Sequence, residues 1–299
     1  MTTAVQPTRR ARGSQGNVGA EQSLWLIRLV IFVVVILWMI PTVGLLISSF
    51  RTPEAINTSG WWTVFANLFD GAQWTFQNYQ DVLSSEGFGN AFLNTLAVAV
   101  PSTVIPITIA AFAAYAFSWM DFPGRQWLFI AVIALLVVPL QMALIPILKI
   151  YSSVGLVGEF LAVWLAHTGF GLPLATYLLR NYIGTLPSSL IESAKIDGAD
   201  HFTIFWRLVI PLSVPALASF AIFQFLWVFN DFLVSLVFLG GTRDVRVLTL
   251  ALNDLNGSRG EAWHLLTSAA FVTMALPVAV FFSLQRYFVR GLTAGSVKG

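Results

Sequence analysis

Six stretches of this chain carry no formally charged side chain: residues 29–50, 87–120, 126–148, 160–179, 208–230 and 265–285. A helix needs about 20 predominantly apolar residues to cross a hydrocarbon layer about 30 Å thick, and each stretch supplies them. Six such segments in 299 residues leave no soluble body in which they could be buried. Composition agrees: 57% of residues are apolar and 10% charged, against about 45–50% and about 25% in soluble domains. A soluble enzyme is therefore excluded. So is a disordered chain, because 25 Phe and 11 Trp leave far too much apolar surface. The expected fold class is an all-α integral membrane protein with six transmembrane helices. The second stretch is longer than one span requires, so its first residues are expected in the preceding loop.

A basic tail with Arg9, Arg10 and Arg12 precedes the first span. The apolar run that follows exceeds the roughly 7–15 residues of a secretory signal core, and no convincing cleavage site follows it, so it reads as a retained helix. Lys and Arg counts between alternate loops set the orientation. Eleven fall on the side of the two termini, including Arg28, Arg125, Arg180, Lys195 and Arg207. Five fall opposite: Arg51, Lys149, Arg243, Arg246 and Arg259. Both termini are thus expected in the cytoplasm. The organisation expected is a tail over 1–23, a first span over 24–50, an extracytoplasmic loop over 51–90, a five-span core over 91–288 with a cytoplasmic loop over 180–212, and a tail over 289–299.

A net charge of +2 gives no argument for nucleic acid. With no cysteine and three scattered histidines (His167, His201, His264), no metal site is expected. No Gly-Lys-Ser/Thr sequence exists, so no nucleotide-binding loop is present and ATP hydrolysis, if it drives the protein, belongs to another subunit. No arrangement of side chains reads as catalytic.

The loops carry more information. Residues 51–86 include Trp61, Trp62, Trp74 and Tyr79, which suit a surface lying on the membrane interface or against a partner, or a simple aromatic belt. Asp121–Arg125 reads as a tight turn around Pro123-Gly124. The loop 180–207 is longer than a turn needs. In it, Leu186-Pro187 breaks one helix, and Ser189 followed by Glu192 fits a capping box for another. That helix, over 190–197, should end at Gly198, the usual residue of a left-handed C-terminal cap. A second helical piece over 201–209 runs into Pro211.

Glu192-Ser193-Ala194, Gly198, and the Leu208, Ile210 and Pro211 run resemble the EAA motif of ABC importer permeases in every spacing. Residues 192–215, with Asp197-Gly198-Ala199, are similar to the carbohydrate branch, the maltose and α-glucoside importers. Phe223–Trp227 with Asn230-Asp231, and the C-terminal run 285–299, look like it too; within the branch the smaller, six-span permease is indicated. The resemblance implies a type I ABC importer permease fold in a bacterial inner membrane. It implies a second homologous permease, two ATP-binding cassette subunits carrying ATP and Mg, and an extracytoplasmic sugar-binding protein as partners. It assigns Glu192, Ser193, Ala194, Asp197, Gly198 and Pro211 to the loop that docks on the ATPase, a role compatible with capping by Glu192.

For substrate, Gln224, Trp227 and Asp231 fall at i, i+3 and i+7, one helical face, with Asn230 beside them. Amides, a carboxylate and an aromatic face suit a sugar path. A polar contact with the partner permease fits equally well. Pro101, Pro106, Pro139 and Pro146 should interrupt the second and third spans, freeing backbone groups that neighbours or water must satisfy. An ion-coupled secondary transporter and a silent assembly subunit are the competing classes; Asp231 and His167 are the only candidates for intramembrane coupling.

Overall fold

A computed structural model describes residues 18–85, 87–256 and 262–293, and the side chains of 24–85, 87–255 and 262–286. The tail with Arg9, Arg10 and Arg12, Arg259, and the terminal Val297-Lys298-Gly299 lie outside the described residues. Helices follow in the order α1 (Val18–Ser49), α2 (Pro53–Thr58), α3 (Gln77–Ser84), α4 (Phe88–Trp119), α5 (Arg125–Ala134), α6 (Leu140–Ser153), α7 (Phe160–Ile183), α8 (Ser188–Ile196), α9 (His201–Ile204), α10 (Ile210–Phe229), α11 (Leu233–Leu239), α12 (Leu248–Asn256) and α13 (Trp263–Thr293). Among the described residues the only β pairing is an isolated bridge between Arg51 and Trp74. Residues 289–293, read as the start of a tail, continue α13.

Among the described residues, five helices are long and apolar enough to span a membrane. The third expected span, 126–148, is instead a pair, Arg125–Val137 and Leu140–Ser153, bent by 102°. The cause is local. Pro139 has no N–H to offer the preceding turn, and its ring confines Val138 to an extended conformation (ψ 116°).

The bundle is α4, α7, α10 and α13, with α4 against α7 as its most extensive pairing. Ala99, Ala110 and Ala114 of α4 and Ala162 and Ala175 of α7 are fully buried. Side chains this small let backbones approach closely, which supplies dispersion energy where lipid gives no hydrophobic driving force. Two apolar clusters result, one around Val98, Ala166, Phe229 and Phe238, the other around Ala114, Leu179, Ile204 and Phe205.

The second span differs from expectation. Residues 88–119 form one 32-residue helix, about 48 Å long. Its first residues are helical rather than loop, and Pro101 and Pro106 lie inside it. Each proline deprives the carbonyl four residues earlier of its partner. Those carbonyls belong to Ala97 and Ser102. Trp164 Nε1 of α7 donates to Ala97 O at 2.8 Å, and Gln224 Nε2 of α10 donates to Ser102 O at 3.2 Å. Neighbouring helices therefore satisfy what the prolines free, and the helix runs through.

Outside the bundle, α1 contacts α13 and the turn at Trp61–Phe65, and its residues 24–40 are exposed throughout. Its end is tied down. Asn78 Nδ2 donates to Ser49 O and Arg51 O, Ser268 Oγ also donates to Ser49 O, and Ser49 Oγ meets Tyr79 OH at 2.7 Å. The buried Arg51 donates to Ala55 O, Ser59 O and Ser59 Oγ, closing the C-terminal end of α2. Residues 51–85 thus form a folded cap over the end of the bundle opposite α8.

Candidate functional site

At the α8 end, a helix–glycine–helix element protrudes from the bundle. Its turn is a Schellman motif: Ala199 N donates to Ala194 O (2.9 Å) and Gly198 N to Lys195 O (3.1 Å), with Gly198 at φ 81°. That backbone favours glycine at 198, since left-handed φ crowds the β-carbon of most other residues. The start of α8 differs from the capping box expected. Pro187 occupies the N-cap position and no side chain caps the helix. Ser189 falls inside the first turn, where its hydroxyl cannot play the cap, so Glu192 has no reciprocal partner and stands exposed without a hydrogen bond. The capping side chain of the element is one that the reading of the loop passed over: Asp200 Oδ1 accepts from Thr203 N at 2.9 Å. Hydrogen bonds from the Thr203 side chain and amide hold the Asp200 carboxyl below the usual range. An aspartate directly ahead of an apolar run is the local signal that marks it.

The element has two faces. Ile191, Ile204, Phe205 and Val209 are buried against α4 and α7. Phe205 stacks on Phe112 of α4 at 4.5 Å, and Tyr115 OH lies 2.9 Å from His201 Nδ1. The opposite face exposes Ile196 (86%) and Phe202 (64%), with Glu192, Ser193, Asp197 and Gly198 exposed around them and Ala194 half-buried. From His201 the chain runs through a π-helical turn (Phe205–Val209) straight into α10, so Pro211 bends nothing and residues 201–229 form one helix.

At the other end of α10, the three side chains expected on one face, and Asn230 beside them, separate. Gln224 is buried, bonded to Ser102 O and pressed on Gly171, where a β-carbon would come within 2.7 Å of its Nε2. Trp227 is half-buried and lines a cavity of about 560 Å³ with Leu140, Ile147, Tyr151, Phe170 and other apolar side chains of α6, α7 and the turn that precedes α6. Asn230 is exposed and bonds back to Leu226 O. The helix ends at Phe229, so Asp231 leaves the α10 surface altogether. Its carboxylate instead accepts from Val234 N (3.2 Å), Ser235 N (2.8 Å) and Ser235 Oγ (3.0 Å), capping α11, and its carbonyl accepts from Thr249 Oγ1 (2.6 Å). An aspartate offered free amides two to four residues on caps them in preference to extending the helix. Trp227 and Asp231 are nevertheless brought together, through His167 of α7. Its ring is fully buried, edge-on to Trp227 at 5.1 Å, with Nε2 3.6 Å from Asp231 Oδ2. Among the described residues no group of His, Asp or Glu could hold a metal ion.

Comparison with known proteins fits this arrangement. The family described as "Binding-protein-dependent transport system inner membrane component" matches residues 106–294. The chain is 57% identical to the osmoprotective compounds uptake permease protein GgtD of Synechocystis sp., covering 100% of each chain. It is 44% identical to the alpha-glucoside transport system permease protein AglG of Rhizobium meliloti, over 92% of this chain and 97% of that one. Among solved structures, a chain of a bacterial ABC transporter involved in the import of the acidic polysaccharide alginate superposes with a TM-score of 0.76 at 18% identity, over 91% of this chain and 99% of that chain.

Proposed function

The chain belongs to the family of binding-protein-dependent transport system inner-membrane components, and on that footing we propose that it lines the path of a carbohydrate importer and couples it to ATPase subunits through the α8–α9 element. As an ABC importer permease subunit it is a multi-pass membrane protein and not itself an enzyme, and the ion-coupled and scaffold alternatives fall away.

The observation that carries the coupling role is the contrast between the two faces of the element. Its inner face is packed into the bundle, while Ile196 and Phe202 stand bare beside an unbonded Glu192. Exposed large apolar side chains rimmed by polar ones mark an interaction surface. The occupant is an ATP-binding cassette subunit in the cytoplasm, one under each of two permeases, and ATP with Mg sits on those subunits. The excess of Lys and Arg on the side of α8 and both termini supports that orientation. An extracytoplasmic binding protein delivers the solute at the opposite end. ATP and the loaded binding protein then bias one two-state equilibrium of the permease pair. Because α9 and α10 are one helix, a displacement of the docked element reaches Gln224 and Trp227 without an intervening loop.

The relative named for alpha-glucoside transport supports an α-glucoside or related oligosaccharide as the solute class. The relative named for osmoprotective compounds supports a second reading, a small osmoprotective solute. Uptake by the reconstituted complex, with labelled α-glucosides competed by osmoprotective solutes, separates the two. The coupling role is tested by Ile196→Ser with Phe202→Ser, which should abolish both uptake and the ATPase stimulation given by loaded binding protein. Normal values of both would end the assignment.

A further inference from the structure

His201, the first residue of α9, is tied to α4. Its Nδ1 lies 2.9 Å from the hydroxyl of Tyr115, whose ring is buried. Four residues on and on the same helical face, Phe205 stacks on Phe112 at 4.5 Å and meets Tyr115 edge-on at 5.5 Å. Ring pairs are favourable over a spread of about 4.5–7 Å between centroids. A hydrogen bond weakens steeply outside a narrow range of length and angle, so the hydroxyl–imidazole link is the directional contact of the group. We propose that Tyr115 is a positioning residue for coupling: its hydroxyl fixes the winding of α9, and with it the aim of the docking face, and passes the movement of that face directly to α4. The inference rests on docking through the α8–α9 element.

The need for such a bond lies in the turn that follows. Between α9 and α10 the chain passes through the π-helical turn Phe205–Val209, where Ile210 N donates to Phe205 O, five residues back. Turns of this kind are rare and occur frequently at functional sites. Tightening it to α winding would rotate α9 against α10 by about 100°, the angle each residue of an α-helix subtends. Ile196 and Phe202 would then face another way. Buried Phe205 and Val209 hold the turn itself, but His201 lies beyond it on the docking side, so its bond to Tyr115 sets the phase of what docks. Asp200 caps the same stretch at Thr203 N, so pinning His201 also pins Phe202 beside it. No helix reaches α8 from its other side, because the chain turns over residues 184–187; α8 takes its orientation from α9 through the turn at Gly198.

The chemistry suits a permanent link. A phenolic hydroxyl both donates and accepts, so it pairs with Nδ1 whichever imidazole nitrogen carries the proton. A buried tyrosine also needs a partner for that hydroxyl. Beyond Tyr115, α4 is bonded to α7 at Ala97 O and to α10 at Ser102 O, so a pull on Tyr115 reaches both neighbours.

Tyr115→Phe removes the hydroxyl and keeps the ring on Phe205. The complex is reconstituted with its partner subunits and assayed with the labelled solute that the native complex takes up, α-glucoside or osmoprotectant. Co-purification of the ATPase subunits and the unfolding midpoint should match the native complex. ATPase stimulation by loaded binding protein, and solute carried per ATP, should both fall several-fold. His201→Leu should do the same, and Tyr115→Phe with His201→Leu should be no worse than either alone. His201→Asn, which offers an amide atom at the place of Nδ1, should keep most of the coupling. Normal stimulation and stoichiometry in Tyr115→Phe would overturn the proposal. So would a loss that comes with poorer assembly or a lower midpoint, the mark of a merely structural contact, or equal losses in His201→Leu and His201→Asn. Failure of the docking reading shows elsewhere: Ile196→Ser with Phe202→Ser would then keep full stimulation. Failure of this inference alone leaves that double variant uncoupled and Tyr115→Phe normal.

Discussion

Nε2 of the fully buried His167 stands 3.6 Å from Oδ2 of Asp231, just beyond hydrogen-bond reach, while that same oxygen accepts from the amide and hydroxyl of Ser235. The carboxylate therefore serves the junction of α10 and α11 first, and His167 leans on it. Its position is that of a fastener between α7, α10, α11 and α12, with Trp227 edge-on to the same imidazole.

We expect Asp231→Ala to act on stability. Loss of the α11 cap should cost about 0.5–2 kcal/mol, judged from helix N-caps generally. Thermal unfolding of the purified complex measures this. For the fraction that assembles, the apparent KM for solute should stay unchanged; a raised KM with normal thermal stability would return Asp231 to the solute path.

Gln224 and Pro106 should be coupled. Gln224→Leu leaves the Ser102 carbonyl buried without a donor, at a cost of about 1–3 kcal/mol. Pro106→Ala in the same chain restores a backbone N–H to that carbonyl and should recover part of the loss. A double-mutant cycle on unfolding midpoints reads the coupling, and strictly additive effects would show that the amide does not serve the freed carbonyl.

Glu192→Ala should change stability by less than about 0.5 kcal/mol, as for surface substitutions without special contacts. If the exposed face of α8–α9 docks as proposed, uptake by the complex should nevertheless fall, because the Glu192 carboxylate has no bond within the chain to lose. Unaltered uptake would leave Glu192 without a role.

Gly198 separates backbone from bulk. No atom lies within 4 Å of where its β-carbon would be, so substitution meets no clash inside the chain. Gly198→Val should destabilise the turn by about 1–2 kcal/mol through left-handed strain, whereas Gly198→Asn, a residue that tolerates this conformation, should fold. If the turn docks, Asn will still lower the ATPase stimulation by loaded binding protein. Full stimulation in Gly198→Asn would confine the glycine to a structural duty.

The orientation is checked with single cysteines at Ser84 and Ser188, both exposed. An impermeant maleimide should label position 84 in intact cells and position 188 only after permeabilisation. The reverse pattern would invert the topology.

What the sequence made legible was whatever a few adjacent residues decide. Charge-free runs located the spans, Pro139 located the break in the third, and Gly198 announced a left-handed turn. What it concealed depended on distant partners. Pro101 and Pro106 look like interruptions because their rescuers, Trp164 and Gln224, come 67 and 122 residues after the carbonyls they bind. Asp231 looks like the next step of an α10 face because nothing local says that α11 will offer it two amides. Ser189 and Glu192 match a capping box, yet Pro187 takes the cap position and leaves both unused for it.

The two bridged carbonyls of α4 also restrict how this bundle can move. A helix surface made of alanine and leucine can slide a residue along its neighbour and find equivalent contacts. One keyed at Ala97 to α7 and at Ser102 to α10 cannot, because the vacated acceptors exist at those two levels alone and any shift strands a donor in a lipid-like medium. The three helices are therefore indexed to one another like gears on a common shaft. A displacement of α9 that preserves both bonds carries α4, α7 and α10 together as a block, with the slippage left to the surfaces around it.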